Sequence, residues 1–101
     1  MKLSIIIPCF NEINTIDTIL NYVNSAPYKN KEIILIDDCS SDGTREKIKN
    51  EIEGSKQVSK VIYLDKNQGK GAAIRAGLEI ASGEIIIIQD ADLEYDPSEY
   101  P

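Results

Sequence analysis

The chain contains 101 residues, which is enough for one domain with a modest hydrophobic core at most. Its 17 acidic residues outnumber its 11 basic residues and give a formal net charge of −6, with no basic cluster to follow a nucleic-acid backbone. This balance argues against nucleic acid as a partner. The longest apolar runs, residues 33–36 and 85–88, are far shorter than the roughly 20 residues that span a bilayer, and the start lacks the apolar core of a secretion signal. We therefore expect a soluble, cytoplasmic segment with no membrane span.

Histidine is absent, and the two cysteines, Cys9 and Cys39, each follow an apolar run. Without histidine, Ser-His and Cys-His nucleophiles and the usual base near neutral pH are excluded. A zinc site would also have too few soft ligands. We expect both cysteines to be small, semi-buried thiols, so the chemistry must depend on carboxylates, a metal ion, lysine and backbone dipoles.

The first part of the chain predicts a strand, a helix and a second strand. Residues 3–7 form a short apolar run ended by Pro8, which predicts the first strand. A helix capped by Asn14 and ending near Pro27 follows, because apolar residues recur at helical spacing. These apolar positions are Ile13, Ile16, Leu20 and Val23. The second strand is predicted over residues 32–36.

The middle of the chain continues this alternation. The polar loop at residues 37–43 contains Asp42, which can cap a helix that ends at Gly54. A weaker apolar run at 58–64 predicts the third strand, and apolar spacing over 70–81 predicts the third helix. Strands that alternate with helices indicate βαβ units, so we predict a Rossmann-like α/β sandwich with a mostly parallel sheet.

The fourth strand is predicted over residues 85–88, where four consecutive isoleucines precede Asp90 and Asp92. An unbroken apolar run is typical of a strand that is buried on both faces of a parallel sheet. Positions i and i+2 of extended backbone share a face and lie about 7 Å apart, so both carboxylates can reach one divalent cation. For an isolated Asp-x-Asp, a polar turn after a buried strand is the favoured alternative.

Polar segments follow all four predicted strands, at residues 8–12, 37–42, 67–71 and 90–94. The carboxyl ends of parallel strands meet at one edge of the sheet, where open α/β sheets bind ligands. Unrelated surface loops would rarely all be so rich in carboxylates and amides. The clustering therefore favours a binding site at this edge.

The segment around Lys70 predicts a phosphate contact. Gly69 and Gly71 flank Lys70 at a helix start, where free N–H groups and the positive end of the helix dipole favour phosphate. A glycine-rich loop that merely permits a tight turn is an equal alternative. A P-loop would need Ser or Thr after Gly-Lys, and a dinucleotide fingerprint would need its glycines after the first strand. Neither motif is present in the sequence.

The sequence leaves the role of two further features undecided: the carboxylates after the second strand and the aromatic ring of Phe10 could serve either binding or structure. Carboxylates in the loop after the second strand can accept a base N–H or ribose hydroxyls, whereas helix capping explains Asp42 well and Asp37 and Asp38 less well. Phe10 could stack on a planar base, but for a lone aromatic residue a place in the core is the preferred interpretation.

Taken together, four segments resemble the nucleotide-binding half of family 2 glycosyltransferases, which have the GT-A fold. The matching segments are residues 4–12, 36–44, 67–73 and 89–94. They occur in the family's order and at its spacing, and they cover nearly the whole chain. The Gly-Lys-Gly and Asp-Ala-Asp-Leu-Glu segments look most like dolichyl-phosphate mannosyltransferases and polyprenyl-phosphate sugar transferases.

This resemblance implies a donor that is a nucleotide diphospho-sugar, linked to UDP or GDP. The residues implied for the nucleoside pocket are Pro8, Phe10, Glu12 and Asp38, with Asp37 beside it. Gly69 and Lys70 are implied to lie near the diphosphate. Asp90 and Asp92 match the Asp-x-Asp motif that binds Mg²⁺ or Mn²⁺ and serves catalysis, and Glu94 stands where close relatives carry a further metal-site residue.

The resemblance also implies that residues 1–101 are the donor-binding, N-terminal portion of a glycosyltransferase domain. Asp96, Pro97 and Glu99 read as the start of a helix immediately before the sequence ends at Pro101. We expect inverting transfer, with a polyprenyl phosphate as a candidate acceptor, at the cytoplasmic face of a membrane. We also expect little activity from these residues alone, and self-association through exposed sheet surface. The alternatives are a non-catalytic nucleotide-binding module and a structural domain.

Overall fold

A computed structural model describes residues 1–26 and 30–90. The first helix ends at Ser25, close to its predicted end near Pro27. Asp92, Glu94 and the helix start predicted at 96–99 lie outside the described residues. Within the described ranges, no helix is both long and apolar enough to cross a membrane.

Four strands and three helices alternate along the described chain, as the sequence predicts. The strands are β1 (Leu3–Cys9), β2 (Lys31–Asp37), β3 (Lys60–Tyr63) and β4 (Ile85–Ile88). The helices are α1 (Ile16–Ser25), α2 (Thr44–Lys47) and α3 (Lys70–Ile80), and α2 continues as a π-helical segment over Ile48–Ile52.

The described strands form one sheet in the order β3-β2-β1-β4, and all neighbouring pairs are parallel. Ile5 in the middle of β1 lies between Ile33 of β2 and Ile87 of β4. The predicted parallel sheet is therefore confirmed. The chain proceeds outward from β1 to β3 and then crosses back to place β4 on the other side of β1. The strand order thus reverses between β1 and β4, which is the position where α/β sheets open a crevice at their carboxyl ends.

Alternating side chains of the central strands supply two apolar layers. Ile5 and Ile7 point to the face covered by α1 and the segment that follows α2, whereas Ile6 points to the face covered by α3. The helix α3 lies very close to the sheet, because a Cβ atom added at Gly77 would be 2.8 Å from Cγ2 of Ile6. Helices on both faces hold the central strands rigidly, and with them the ends of those strands.

The strand β4 differs from its prediction. The four isoleucines were expected to be buried on both faces, but each is between 38% and 45% exposed. This expectation is wrong for the described chain because β4 pairs with β1 alone and forms an edge of the sheet. A run of isoleucines indicates side chains that favour burial, but the exposed fraction of each side chain depends on which elements pack beside the strand.

The predicted helix caps had different outcomes. Asn14 does not cap α1, because a tight turn comes first: the carbonyl of Glu12 accepts the N–H groups of Thr15 and Ile16, and the helix begins at Ile16. Asp42 does serve α2 as predicted. Its carboxylate Oδ1 accepts the N–H of Thr44 at 3.0 Å, the first residue of the helix.

A polar cluster lies at the amino ends of the strands, and we call it the amino-edge cluster. It consists of Ser4, Glu32, Lys60, Ser82 and Gly83. Glu32 Oε2 accepts hydrogen bonds from Ser4 Oγ at 2.6 Å, from Ser82 N at 2.6 Å and from Ser82 Oγ at 2.9 Å. Its other oxygen lies 3.2 Å from Lys60 Nζ. Burial raises the pKa of Glu32, but these hydrogen bonds outweigh burial and lower the pKa to about 2.

The amino-edge cluster also fixes the connection that leads into β4. The N–H of Gly83 donates to Ser4 Oγ at 2.8 Å, and a Cβ atom at Gly83 would be only 2.4 Å from the same oxygen. Any side chain at this position would collide with β1, so the close approach requires glycine. Hydrogen bonds of the cluster thus link β1, β2 and the connection that follows α3.

Candidate functional site

A cleft of about 360 Å³ opens at the carboxyl edge of the sheet, beside the point between β1 and β4 where the strand order reverses. The segments that follow all four strands contribute to its walls. The lining residues are Pro8, Cys9, Phe10, Glu12, Asp38, Asn67, Gly69, Lys70, Ala73 and Asp90. Because strand direction alone brings these segments together, residues more than 80 positions apart in the chain share one site.

The structure brings together the predicted site residues that it describes, with one exception. Asp37 does not line the cleft, and Asp92 and Glu94 lie outside the described residues. The structure adds Cys9, Asn67 and Ala73 to the predicted set. Asn67 belongs to a polar segment that the sequence singles out, so its amide was the available signal.

Phe10 lies in the cleft wall and not in the core. Its ring is 43% exposed, which corrects the preference for a core position that a lone aromatic residue suggests. The next residue, Asn11, has left-handed backbone with φ of 54° and ties the loop to its neighbour after β2. Its N–H donates to Ser40 Oγ at 2.9 Å, and its Oδ1 accepts the N–H of Ser41 at 2.7 Å. The ring is therefore presented to the cleft by a braced loop.

Asp38 connects the loop after β2 to the start of α3. Its buried carboxylate accepts the N–H of Gln68 at 2.8 Å and the N–H of Gly69 at 2.9 Å. Gly69 has φ of 95°, a conformation that residues with a side chain rarely adopt. Asp38 and Gly69 together fix the first turn of α3, and with it the backbone of Lys70, at the mouth of the cleft.

Asp37, which the resemblance places beside the nucleoside pocket, does not line the cleft and binds Arg45 inside the protein. Its carboxylate is fully buried and lies 2.6 Å from Nε of Arg45. Arg45 also donates to the carbonyl of Leu64 at 2.5 Å, and its bond to Asp37 raises the pKa of the guanidinium. Successive side chains at a strand end point to opposite sides. The side chain of Asp37 therefore points into the protein, whereas that of Asp38 points towards the cleft.

Lys70 and Asp90 form an ion pair between two walls of the cleft. Lys70 Nζ at the start of α3 donates to Asp90 Oδ2 just beyond β4. Both side chains remain accessible, with 55% of Lys70 and 47% of Asp90 exposed. In this pair, an ammonium group and a carboxylate of the cleft wall contact each other and remain accessible to solvent.

Asp90, just beyond β4, offers carboxylate oxygens to a hard divalent cation. Carboxylate oxygens are the ligands that Mg²⁺ and Mn²⁺ prefer, and Asp90 carries its carboxylate in the cleft. Within residues 1–26 and 30–90 there is no group of three or more His, Cys, Asp or Glu residues that could hold a metal ion. A metal site here would therefore combine Asp90 with ligands beyond residue 90, where Asp92 and Glu94 follow in the sequence.

The thiol in the cleft wall is unsuited to metal binding or nucleophilic attack. Burial, reinforced by the negative charges of Asp37, Glu12 and Asp42, raises the pKa of Cys9 to about 12. The thiol stays protonated at neutral pH, and both cysteines are free. Cys9 is buried and Cys39 is partly buried, close to the prediction of two small, semi-buried thiols.

Comparison with known proteins identifies the family. A model of the family "Glycosyl transferase family 2" matches residues 4–101. The chain is 43% identical over 103 residues to undecaprenyl-phosphate 4-deoxy-4-formamido-L-arabinose transferase of Aeromonas hydrophila, covering 97% of the chain and 31% of that protein. It is 36% identical over 102 residues to dolichol-phosphate mannosyltransferase of Pyrococcus furiosus, covering 100% of the chain and 28% of the relative.

The fold agrees with these sequence matches. A mannosyltransferase of Pyrobaculum calidifontis, solved in complex with GDP-Man and Mn²⁺, superposes with a TM-score of 0.78 at 28% identity, over 90% of this chain and 27% of that one. The chain spans less than a third of the length of the two curated relatives. The predicted Rossmann-like GT-A fold and the likeness to polyprenyl-phosphate sugar transferases are both confirmed. The chain belongs to glycosyltransferase family 2.

Proposed function

We propose that residues 1–101 form the nucleotide-sugar-binding part of an inverting, metal-dependent glycosyltransferase that acts on a polyprenyl phosphate. The observation that carries this proposal is the cleft at the carboxyl edge, which gathers an exposed aromatic ring, a helix start with a lysine, and Asp90. The names of the two curated relatives, both prenyl-phosphate sugar transferases, support this class of acceptor.

The proposed donor is a nucleoside diphosphate linked to a sugar. The exposed ring of Phe10 offers a surface for the base, next to Pro8 and Glu12. Lys70 and the N–H groups at the start of α3 suit the diphosphate, because a helix N-terminus and an ammonium group both favour phosphate oxygens. The lining residues are compatible with uracil or guanine, so UDP and GDP are both candidates.

The proposed metal ligands are Asp90 and Asp92, with Glu94 as a further metal-site residue. Asp90 has the appropriate oxygen donors and an accessible carboxylate, and Mn²⁺ in the similar mannosyltransferase supports a divalent cation of this type. When bound, Mg²⁺ or Mn²⁺ supplies Lewis-acid stabilisation of the negative charge on the departing nucleoside diphosphate. Asp90 and Asp92 would hold the metal ion beside the diphosphate, and this is the catalytic role that we propose for them.

Transfer would proceed by direct displacement. An acceptor oxygen forms a bond to the anomeric carbon while the bond from that carbon to the diphosphate oxygen breaks, and the electron pair leaves with the nucleoside diphosphate. The anomeric configuration is inverted by this step. A prenyl phosphate is already anionic near neutral pH and needs no general base, whereas a hydroxyl acceptor would need one. A lipid-linked acceptor also supports a location at the cytoplasmic face of a membrane for the whole protein.

The isolated 101 residues are expected to bind a donor without transferring its sugar efficiently. The described residues form a cleft that suits a donor nucleotide, and the chain spans less than a third of the length of its curated relatives. Incubation of purified protein with nucleotide sugar and a short-chain prenyl phosphate should release almost no nucleoside diphosphate. Robust prenyl-phosphate glycoside formation would contradict this expectation.

Self-association is a second property that we propose for the isolated residues. The strand β4 is an edge of the described sheet, and its four isoleucines are 38–45% exposed. Analytical ultracentrifugation should reveal a concentration-dependent increase in mass. A clean monomer at high concentration would contradict this part of the proposal.

Calorimetric titration with GDP and with UDP, each with and without Mn²⁺, tests the proposed function. Metal-dependent binding that is lost in Asp92→Ala and in Asp90→Asn supports the proposal. The matched control is Asp17→Asn, since Asp17 is an exposed carboxylate on α1 that does not line the cleft. This control should bind like the wild type.

The same titration distinguishes the competing functions. Metal-independent nucleotide binding would favour a non-catalytic nucleotide-binding module. No binding of either nucleotide by a folded sample would favour a structural domain and contradict the proposal.

A further inference from the structure

The ion pair between Lys70 and Asp90 presents a conflict that the proposed function must resolve. Lys70 Nζ donates directly to Asp90 Oδ2, one of the oxygens that a divalent cation would need. An ammonium group and a metal ion that share one carboxylate repel each other, so each weakens the binding of the other. Metal binding at Asp90 therefore favours the release of Lys70 from the carboxylate.

We propose that Lys70 is an exchangeable counter-ion of Asp90, which it neutralises in the donor-free protein and releases to the donor diphosphate when the metal binds. This inference rests on the proposed function and deepens it. It assigns Lys70 two successive anionic partners instead of one. Its consequence is that metal and nucleoside diphosphate bind cooperatively, since the diphosphate offers the displaced lysine a new partner.

Exposure makes this exchange feasible. More than half of the Lys70 side chain is accessible, and an exposed ion pair is typically worth only about 0.2–1 kcal/mol. The lysine side chain is a compact charge on a flexible stem, so its ammonium group can change partners by rotation. The backbone need not move, because Asp38 holds the preceding residue, Gly69, through its N–H.

The position of Lys70 supports the second partner. It is the first residue of α3, where the helix dipole and the backbone N–H groups of the first turn favour an anion. A diphosphate placed there would meet the displaced ammonium group without a change in the fold. The arrangement predicts opposite effects of removing Lys70: tighter binding of the metal alone, and weaker binding of the metal with a nucleotide.

The test compares Lys70→Met with Lys56→Met, and both substitutions remove one positive charge. Lys56 is exposed in the segment after α2 and does not line the cleft, so it controls for the general attraction of Mn²⁺ to a more negative protein. Binding of Mn²⁺ alone is measured from the electron paramagnetic resonance signal of the free ion. Relative to Lys56→Met, we expect Lys70→Met to bind Mn²⁺ about two- to fivefold more tightly, the size of an exposed ion pair.

The second arm measures GDP or UDP binding at saturating Mn²⁺ by calorimetry. Here we expect Lys70→Met to bind the nucleotide about tenfold more weakly than Lys56→Met, because a charge-assisted hydrogen bond to phosphate is lost. Circular dichroism establishes that both variants are folded. In an Asp90→Asn background, where Mn²⁺ binding should already be lost, Lys70→Met should not restore it.

Each contrary result has a distinct meaning. Unchanged or weaker Mn²⁺ binding in Lys70→Met, relative to Lys56→Met, overturns the inference because Lys70 then does not compete for Asp90. Tighter Mn²⁺ binding with unchanged nucleotide affinity overturns the transfer of Lys70 to the diphosphate. If the wild type binds neither nucleotide with Mn²⁺, the proposed function fails, and the exchange proposed for Lys70 fails with it even where the Mn²⁺ arm reveals competition.

Discussion

Two carboxylates at opposite ends of one parallel sheet, Glu32 and Asp90, have opposite environments. At the amino edge, Glu32 has only 5% of its side chain exposed and is held by three hydrogen bonds and a lysine. At the carboxyl edge, Asp90 has 47% of its side chain exposed and contacts an exposed lysine. A carboxylate surrounded by donors serves stability, whereas one that keeps an accessible, weakly held charge is available to a ligand.

The fold explains this difference. The connection from α3 into β4 is pressed against β1 at the amino edge, where Gly83 leaves no space for a side chain. At the carboxyl edge the strand order reverses between β1 and β4, so the connections diverge and leave the cleft. Substitutions at the two edges should therefore separate stability from binding.

The largest effect is expected at the amino edge. Replacing Glu32 by alanine leaves Ser4, the N–H of Ser82 and Lys60 without their shared acceptor, and should lower the free energy of unfolding by about 3–5 kcal/mol. Denaturation in urea measures the loss. Glu84→Ala is the control, since Glu84 is exposed at the same edge and should change stability by less than about 0.5 kcal/mol. Similar losses for the two variants would contradict the structural role of Glu32.

The pH dependence of stability provides the next largest effect. The folded state lowers the pKa of Glu32 from 4.5 to about 2, so its ionised form is the one that folding favours. Its contribution is complete above pH 4.5 and is lost as the pH falls from 4.5 towards 2. The free energy of unfolding of the wild type, relative to that of Glu32→Gln, should therefore fall by about 3 kcal/mol as the pH is lowered through this window. A difference that stays constant down to pH 2 would contradict this linkage.

At the carboxyl edge the effect should appear in binding. Phe10→Ala should weaken Mn²⁺-dependent nucleotide binding about 5- to 100-fold, the range for loss of one aromatic stacking surface against a base. Its free energy of unfolding should change little because the ring is 43% exposed. Tyr22→Ala is a matched control, since Tyr22 is an exposed aromatic residue on α1 outside the cleft. Equal affinities for the two variants would argue that Phe10 does not contact the nucleotide.

The smallest effect contrasts two glycines of the same helix. A Cβ atom at Gly77 would be 2.8 Å from Ile6 in the sheet, so Gly77→Ala should destabilise the protein by about 1–3 kcal/mol. At Gly71, near the cleft, the nearest atom to a Cβ would be Nη1 of Arg75 at 3.6 Å. Gly71→Ala should therefore be neutral or stabilise by up to about 1 kcal/mol through helix propensity. Thermal unfolding of both variants checks the difference in sign.

The sequence predicts the carboxyl edge far better than the amino edge. Strand ends carry obvious polar residues there, and strand direction alone brings Pro8, Lys70 and Asp90 to one cleft. Glu32 carries no comparable signal, because a single charged residue at the start of a strand is usually exposed, and its partners Ser4 and Ser82 are distant in the sequence. Burial from tertiary packing cannot be inferred from such isolated residues.

Asp37 and the isoleucines of β4 also show that burial cannot be inferred from the sequence alone. Asp37 and Asp38 are adjacent and chemically identical, yet only Asp38 reaches the cleft, because Arg45 binds the carboxylate of Asp37 inside the protein. The isoleucines of β4 were expected to be buried, and they lie at a sheet edge instead. Side-chain direction at a strand end and the neighbours of an edge strand depend on the assembled fold.

The most direct test of the account locates bound Mn²⁺ through its paramagnetic broadening of backbone amide signals, with GDP or UDP present. We expect broadening of the signals of Phe10, Gly69 and Asp90 at the carboxyl edge, whereas those of Ser82 and Gly83 at the amino edge should be unaffected. Substitution of Asp90→Asn should abolish the effect. Broadening centred on the amino edge, or spread evenly over the protein, would contradict the claim that the carboxyl edge binds the metal and nucleotide.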